Sequence, residues 1–247
     1  MSSKLDGEVA VVTGAARGIG FAIAQKLVIE GATVVTADID GSAAKQAADT
    51  LGSSAHGIEL DVTKREDVVR AIDGVVADFG RLDILVNNAG WDRAMPFIDT
   101  DPDDWDRIIA INLYGVIHTV YAALPHFVER GRGSIVNISS DAGRVGSSGE
   151  AVYSAAKGGI IAFSKTIARE HAKHGIRVNS VCPGPTDTAL FATFGGDGLK
   201  AAVAKAVPMK RIGTPEDIAG GVAYLASSEA SFVTGQTLSI SGGLTMS

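Results

Sequence analysis

Cysteine is almost absent from this sequence, and its scarcity excludes several kinds of protein. The 247 residues contain one cysteine, Cys182, so the chain can form neither an internal disulfide nor a cysteine-rich metal site. The five histidines show no metal-ligand spacing, and no bound metal is expected. No apolar signal-peptide core follows Met1. These features predict a protein of the reducing cytoplasm.

Positive charge is also in short supply. The 22 Lys and Arg residues are outnumbered by 28 Asp and Glu residues, which gives a formal net charge of −6. A nucleic-acid or anionic-membrane partner would require a basic surface, so neither is expected. One uncharged stretch, residues 110–128, is long enough to cross a membrane, but it contains Asn112, His118, Pro125 and His126. We interpret it as a buried helix at a subunit interface.

Short apolar runs alternate with helical patterns along the whole chain. Strands are predicted at residues 8–13, 33–37, 55–60, 82–86, 134–138, 177–181 and 237–240. Helices are predicted at residues 18–30, 41–51, 64–79, 103–128, 152–173 and 214–226, with a possible bend at Pro125. This alternation is typical of a doubly wound (Rossmann) α/β fold, a single domain over residues 1–247 with about seven parallel strands and helices on both faces. Residues 184–210 show the least regular pattern and are predicted to form a substrate lid.

A glycine-rich segment follows the first predicted strand and opens the first predicted helix. Residues 13–20 read Thr-Gly-Ala-Ala-Arg-Gly-Ile-Gly. Glycine allows close approach of the backbone to a pyrophosphate, and a helix N-terminus offers free N–H groups. The segment predicts a dinucleotide site that includes Gly14, Arg17, Gly18, Ile19 and Gly20.

Asp38, at the end of the second predicted strand, bears on the choice of dinucleotide. A carboxylate there can bind both hydroxyls of an adenosine ribose and would repel a 2′-phosphate, which favours NAD over NADP. Arg17 has the opposite tendency, because it could meet that phosphate. We give Asp38 the greater weight and predict NAD as the cofactor.

Later motifs, taken together, resemble those of the short-chain dehydrogenase/reductase family across nearly the whole chain. They are Asp61-Val62, Asn87-Asn88-Ala89-Gly90, Asn112, the Ser140, Tyr153 and Lys157 set, and Pro183-Gly184. The resemblance implies cofactor contacts from Asp61, Val62, Asn88, Ala89, Gly90, Tyr153, Lys157, Pro183, Gly184, Thr186 and Thr188. It also implies that Asn112 binds a water molecule that relays protons to Lys157.

The chemistry of these residues is consistent with hydride transfer to or from a secondary alcohol or ketone. Tyr153 and Lys157 are four residues apart on one predicted helix and share a face. A nearby ammonium and an oxidised nicotinamide ring would lower the pKa of Tyr153, which is about 10 in free tyrosine. Tyr153 can then act as a general base or acid, and Ser140 can hold the carbonyl oxygen.

Within the family, the segments around the site resemble those of enzymes that oxidise a β-hydroxyacyl-CoA with NAD, such as 2-hydroxycyclohexanecarboxyl-CoA. An apolar acyl pocket is predicted from Trp91, Val145, Leu190 and Phe191. Arg144 or Arg93 is expected to meet a thioester carbonyl or a CoA phosphate.

Two alternatives remain open, together with the state of assembly. The first is a 3-oxoacyl-[acyl-carrier-protein] reductase that uses NADPH. The second is a non-catalytic nucleotide-binding regulator on the same scaffold. The resemblance also implies a homotetramer.

Overall fold

One parallel sheet organises the protein. The computed structural model describes residues 3–192 and 197–246, and in these ranges seven strands pair in the order β3-β2-β1-β4-β5-β6-β7. The strands are β1 (Val9–Thr13), β2 (Thr33–Asp38), β3 (Ala55–Glu59), β4 (Ile84–Asn87), β5 (Gly133–Ile138), β6 (Ile176–Pro183) and β7 (Thr237–Ile240). The order reverses between β1 and β4, so the loops after these two strands diverge and leave a crevice at their carboxyl ends.

Helices cover both faces of this sheet. They are α1 (Gly18–Ile29), α2 (Gly41–Leu51), α3 (Arg65–Phe79), α4 (Pro102–Ile109), α5 (Gly115–Arg130), α6 (Ala142–Val145), α7 (Ala151–His171), α8 (Ala189–Ala192), α9 (Asp197–Ala206) and α10 (Pro215–Ala226). The predicted single-domain Rossmann fold with helices on both faces is confirmed.

Alternate residues of each central strand enter two separate cores. Val12 joins the core beneath α1 and α10, whereas its neighbour Val11 joins the core beneath α3, α5 and α7. Both are fully buried, since successive side chains of a strand point to opposite faces and both faces are covered. This explains why the strands are continuous apolar runs in the sequence.

Residues 102–130 form one long helical segment with an irregular centre. Between α4 and α5, the backbone at Ala110–Tyr114 adopts a π-helix, and α5 then continues through Pro125. The departure from α-geometry therefore lies at Asn112 and not at Pro125, the predicted place. An 18-residue window of this segment has a mean hydropathy of 1.5 and is 44% buried, as a helix packed against a sheet also would be.

Residues 184–210 are more regular than the sequence suggested. They contain α8 and α9, although their glycines and Pro185 weaken the helical pattern. Residues 193–196, in the middle of the predicted lid, lie outside the described ranges. Just beyond the segment, the Gly213 N–H donates to the Pro185 carbonyl at 3.0 Å. This bond joins the chain after the segment to the start of the segment.

Candidate active site

The carboxyl ends of the parallel strands border a cavity of about 1110 Å³. Loops that follow β1, β2, β3, β4, β5 and β6 all contribute to its wall. In open α/β sheets ligands bind at this edge, beside the point where the strand order reverses. The cavity is therefore the candidate site.

The glycine loop is packed so tightly that a side chain would not fit at Gly14 or at Gly20. Gly14 has a φ of +63°, and a Cβ there would lie 2.9 Å from the Ala89 Cα. A Cβ on Gly20 would collide with the Gly14 carbonyl oxygen. The Asn88 side chain holds the loop by donating to the carbonyls of Thr13 and Gly14, both at 3.0 Å. This geometry fixes the loop against β4.

The N-terminus of α1 faces the cavity without a side-chain cap. Arg17 is the N-cap residue and makes no capping bond, while Gly18, Ile19 and Gly20 form the first turn and line the cavity. Uncapped N–H groups at the positive end of a helix dipole are suited to a pyrophosphate. The chain's residues therefore fit the phosphates of a dinucleotide.

Asp38 lies at the rim of the same cavity, at the end of β2. Its carboxylate accepts the backbone N–H groups of Ala16 and Asp40, each at 3.2 Å. These bonds fix the carboxylate beside the glycine loop, together with the neighbouring Arg17. Both candidate determinants of dinucleotide choice are thus on one side of the site.

Tyr153 and Lys157 project from α7 toward Ser140, which follows β5. The Lys157 Nζ donates to the Ile138 carbonyl at 2.9 Å and lies 5.4 Å from the centre of the Tyr153 ring. Ser140 lies beside the Tyr153 hydroxyl, and all three side chains line the cavity. The structure therefore brings together in one cavity wall three of the four residues predicted to be catalytic, and Asn112 is the fourth.

The electrostatics around these side chains differ from the expectation. Burial, followed by the charges of Glu150 and Asp92, raises the pKa of Tyr153 well above its ordinary value, while the Ser140 side chain opposes the rise. Burial lowers the pKa of Lys157 to about 8. In the protein alone, Lys157 thus does not bring the pKa of the Tyr153 phenol below its ordinary value.

Asn112 is buried behind the cavity wall. The π-helix turns its side chain so that Nδ2 donates to the carbonyls of Trp91 at 2.6 Å and Ile108 at 2.9 Å. Its Oδ1 has no partner in the described part of the chain. A Cβ on Gly90 would lie 3.0 Å from this oxygen and 3.6 Å from the Lys157 Nζ. The unpartnered Asn112 oxygen and the Lys157 ammonium thus both lie close to Gly90.

The cavity wall includes every residue predicted to bind the cofactor. These are Gly14, Arg17, Gly18, Ile19, Gly20, Asp38, Asp61, Val62, Asn88, Ala89, Gly90, Tyr153, Lys157, Pro183, Gly184, Thr186 and Thr188. A Cβ on Gly18 would lie 3.8 Å from the Thr188 side chain, so the loop after β6 reaches across to the glycine loop.

Three of the four residues predicted to form the acyl pocket line the cavity. Trp91, Val145 and Phe191 line the cavity, whereas the Leu190 side chain lies outside the described part of the structure. Arg144 does not line the cavity: its side chain is about nine-tenths buried and pairs with Asp141 at 3.3 Å. Substrate binding by Arg144 or Arg93 stays a prediction.

Four charged residues of the cavity wall were not predicted, namely Arg107, Asp92, Glu150 and Asp141. The Arg107 guanidinium lies 4.0 Å above the Trp91 ring and has no carboxylate partner among the described residues, whereas Arg93 pairs with Asp104 at 3.0 Å. Asp92 and Glu150 also line the cavity. Their proximity to Tyr153 arises from the fold and could not be predicted from the sequence. The position of Asp92 directly after the Asn-Asn-Ala-Gly-Trp segment, however, could have identified it as a residue of the site.

Comparison with known proteins agrees with this geometry. The family model described as "Enoyl-(Acyl carrier protein) reductase" matches residues 14–245. The chain belongs to the short-chain dehydrogenase/reductase family. This short-chain dehydrogenase/reductase is an enzyme of the oxidoreductase class, and the regulator alternative does not apply.

Several similar members of the family share one name. The chain is 41% identical to the 3-oxoacyl-[acyl-carrier-protein] reductase FabG of Salmonella typhimurium, over 98% of this chain and 99% of that protein. It is 39% identical to the protein of the same name from Thermotoga maritima, over 98% and 99%. The Escherichia coli protein of that name is also 39% identical, with the same coverage. This short-chain dehydrogenase/reductase thus aligns end to end with reductases of acyl thioesters.

Proposed function

We propose that the protein transfers hydride between a nicotinamide dinucleotide and the C3 carbon of a 3-oxoacyl or 3-hydroxyacyl thioester. The observation that carries this proposal is the placement of Ser140, Tyr153 and Lys157 in one cavity wall with the glycine loop. Relatives named as 3-oxoacyl-[acyl-carrier-protein] reductases support the thioester. Reduction on the carrier protein is accordingly the first candidate reaction.

Each side chain has a defined task in that reaction. The bound dinucleotide supplies or accepts the hydride. In reduction, the Tyr153 hydroxyl donates its proton to the ketone oxygen as negative charge develops there, and Ser140 donates a hydrogen bond to the same oxygen. Lys157 and Asn112 return a proton toward Tyr153 through water. In oxidation, each proton moves the opposite way.

Asp38 favours NAD(H) as the dinucleotide. Its carboxylate is fixed by two backbone N–H groups at the rim of the site. A carboxylate can accept both ribose hydroxyl protons, whereas it repels a 2′-phosphate. Arg17 is the residue that would favour NADP(H), the dinucleotide that the sequence analysis paired with the carrier-protein reductase. The two residues give the proposal a direct test.

A second candidate follows from the same carboxylate. Oxidation of a β-hydroxyacyl-CoA by NAD⁺, as in 2-hydroxycyclohexanecarboxyl-CoA dehydrogenase, requires the dinucleotide that Asp38 favours. Trp91 and Phe191 supply an apolar wall for a cyclic acyl group. Arg107, stacked on Trp91, supplies a positive charge for the phosphates of the thioester carrier. It is a further candidate for the task that the sequence assigned to Arg144 or Arg93.

We further propose that the described parts of the predicted lid, residues 184–192 and 197–210, close over the acyl group. Phe191 of α8 and Val203 of α9 both line the cavity, and Lys200 of α9 pairs with Asp187 at 2.6 Å. The closed segment would shield the reacting carbon from water.

Turnover measurements test the proposal. We expect activity with a 3-oxoacyl chain carried as a thioester, compared on acyl carrier protein and on CoA, and with a 3-hydroxyacyl-CoA in the reverse direction. Tyr153→Phe should lower kcat by about 10²–10⁴-fold, because proton transfer is lost. Tyr224→Phe is the matched control, since Tyr224 does not line the cavity. Absence of turnover with all thioesters would overturn the proposal.

A further inference from the structure

Two acidic side chains lie beside Tyr153, where the proposed reaction has no use for a negative charge. Asp92 is 94% buried, and its Oδ2 has no donor among the described residues. The Glu150 side chain is within hydrogen-bonding reach of the Asp92 carboxyl group. Both carboxyl groups line the main cavity and also a small pocket behind it, to which Tyr153 contributes as well.

The backbone holds these two carboxyl groups together. Asp92 lies in the loop after β4, and Glu150 precedes the first residue of α7. The Met95 N–H donates to the Gly149 carbonyl at 2.9 Å and ties the two loops side by side. Gly149 has a φ of +83°, which side chains rarely tolerate. The approach is therefore built into the fold.

The cations near this carboxyl pair have other partners. The Arg93 backbone N–H favours the ionised form of Asp92, but the Arg93 guanidinium pairs with Asp104. Arg107 is stacked on Trp91. Cys182, another titratable group near Tyr153 and Lys157, is buried in β6.

Lys157 is the ammonium that faces the pair from α7, and it is directed to the Ile138 carbonyl. Two adjacent carboxylates without a bound cation repel each other, so retention of one proton between them is favoured. Burial and the charge of Glu150 raise the pKa of Asp92 to about 7.

We propose that Asp92 and Glu150 are positioning residues that share one proton and set the pH at which Tyr153 changes from proton donor to proton acceptor. The inference rests on the proposed function of Tyr153. With one proton the pair carries a single negative charge, and after its loss two charges face the phenol. Added negative charge keeps the phenol protonated, the form required for ketone reduction. The pair therefore extends reduction to higher pH and delays the onset of oxidation.

The test compares pH profiles in both directions for the wild type, Asp92→Asn, Glu150→Gln and the double variant. Each lost carboxyl group should move the rising limb of oxidation about one pH unit lower, and the double variant should move it furthest. The reduction rate should begin to fall at correspondingly lower pH. Asp103→Asn removes the same charge from the exposed first turn of α4, outside both pockets, and should leave the profile in place.

Infrared difference spectroscopy gives a readout that needs neither cofactor nor turnover. At neutral pH the wild type should show the carbonyl band of a protonated carboxylic acid, and Asp92→Asn should lack it. If the wild type turns over but the profiles of all variants coincide, or if the band survives Asp92→Asn, the inference is overturned. If the wild type transfers no hydride, the proposed function fails instead, and the band still tests the shared proton. If Asp92→Asn does not fold, Glu150→Gln replaces it in both measurements, because Glu150 is only half-buried.

Discussion

Asp38 is a single carboxylate on which the dinucleotide preference should depend. We expect Asp38→Ser to lower the ratio of kcat/KM with NADH to that with NADPH by at least about tenfold, or about 1.4 kcal/mol. The reason is that serine removes both the acceptor for the ribose hydroxyls and the charge that repels a 2′-phosphate. Steady-state kinetics with the two reduced dinucleotides measure the ratio.

Arg17→Ala is the paired control for this prediction. Arg17 lines the same end of the cavity, so its removal should weaken NADPH more than NADH. A wild-type enzyme that already prefers NADPH would show that the guanidinium outweighs the carboxylate, and the proposed NAD(H) preference would be wrong.

At this scale, what the sequence could predict depends on how far apart the interacting residues are along the chain. Tyr153 and Lys157 are one helical turn apart, so their shared face follows from helix geometry. The proximity of Asp92 to Glu150 arises only when the loop after β4 meets the start of α7. The pKa of Tyr153 is raised by burial and by the charges of these two residues. Neither cause is visible in the motif, although the motif identified the side chain.

Buried amides connect the central strands to the helix that bears Tyr153. The Asn87 Nδ2 of β4 donates to the Asn137 Oδ1 of β5 at 2.8 Å, and the Asn137 Nδ2 donates to the Ser164 Oγ of α7 at 2.8 Å. The Thr119 hydroxyl of α5 donates to the Asn87 Oδ1 at 2.6 Å. All four side chains are buried, so each donor depends on its partner.

We expect Asn137→Ala to lower the free energy of unfolding by about 2–3 kcal/mol. The substitution leaves buried donors and acceptors on Asn87 and Ser164 without a partner and creates a cavity. Chemical denaturation of the purified protein measures the change. Ser164→Ala, which removes one end of the chain of bonds, should cost less; a cost equal to that of Asn137→Ala would contradict this account.

Predictability at the scale of elements follows the strength of the local signal. β1 and β4 are apolar runs because both of their faces are covered, and the sequence located them within two residues. Helix α10 carries a capping box between Thr214 and Asp217, with Pro215 at its first position, and its predicted start was confirmed. The π-helix at Ala110–Tyr114 changes the apolar period too little to be recognised.

Apolar side chains on the surface support the predicted homotetramer. Tyr121 of α5 is 66% exposed, and Phe232 is fully exposed. We expect light scattering to give a mass near four times 25.3 kDa. Tyr121→Glu should shift the mass toward smaller species, because it places a charge on a helix face expected to be covered. Ile98→Glu, at another exposed apolar position, is the control, and a monomeric wild type would contradict the prediction.

The two ends of the parallel strands differ in character. The cavity lies at their carboxyl ends, and a cluster of charged side chains lies at their amino ends. Asp83 enters β4 at its amino end and is 98% buried. Its carboxylate accepts the Val9 N–H at 2.9 Å and two bonds from Arg81, at 2.6 and 2.8 Å. Burial opposes ionisation, but these bonds and the charge of Arg130 hold the pKa of Asp83 below its ordinary range.

Asp83→Asn should therefore lower the free energy of unfolding at pH 7 by about 3 kcal/mol, since the arginine lacks its buried partner. Because the folded pKa is depressed, the wild-type advantage is complete above the pKa of the unfolded state, about 4, and is lost as the pH falls through the lower folded value. The difference between the two proteins should shrink on acidification, as denaturation at several pH values would measure. Turnover of the folded variant should stay within about twofold of wild type, because Asp83 does not line the cavity. An equal stability difference at pH 7 and at pH 3 would show that the lost stability comes from packing and not from the carboxylate charge.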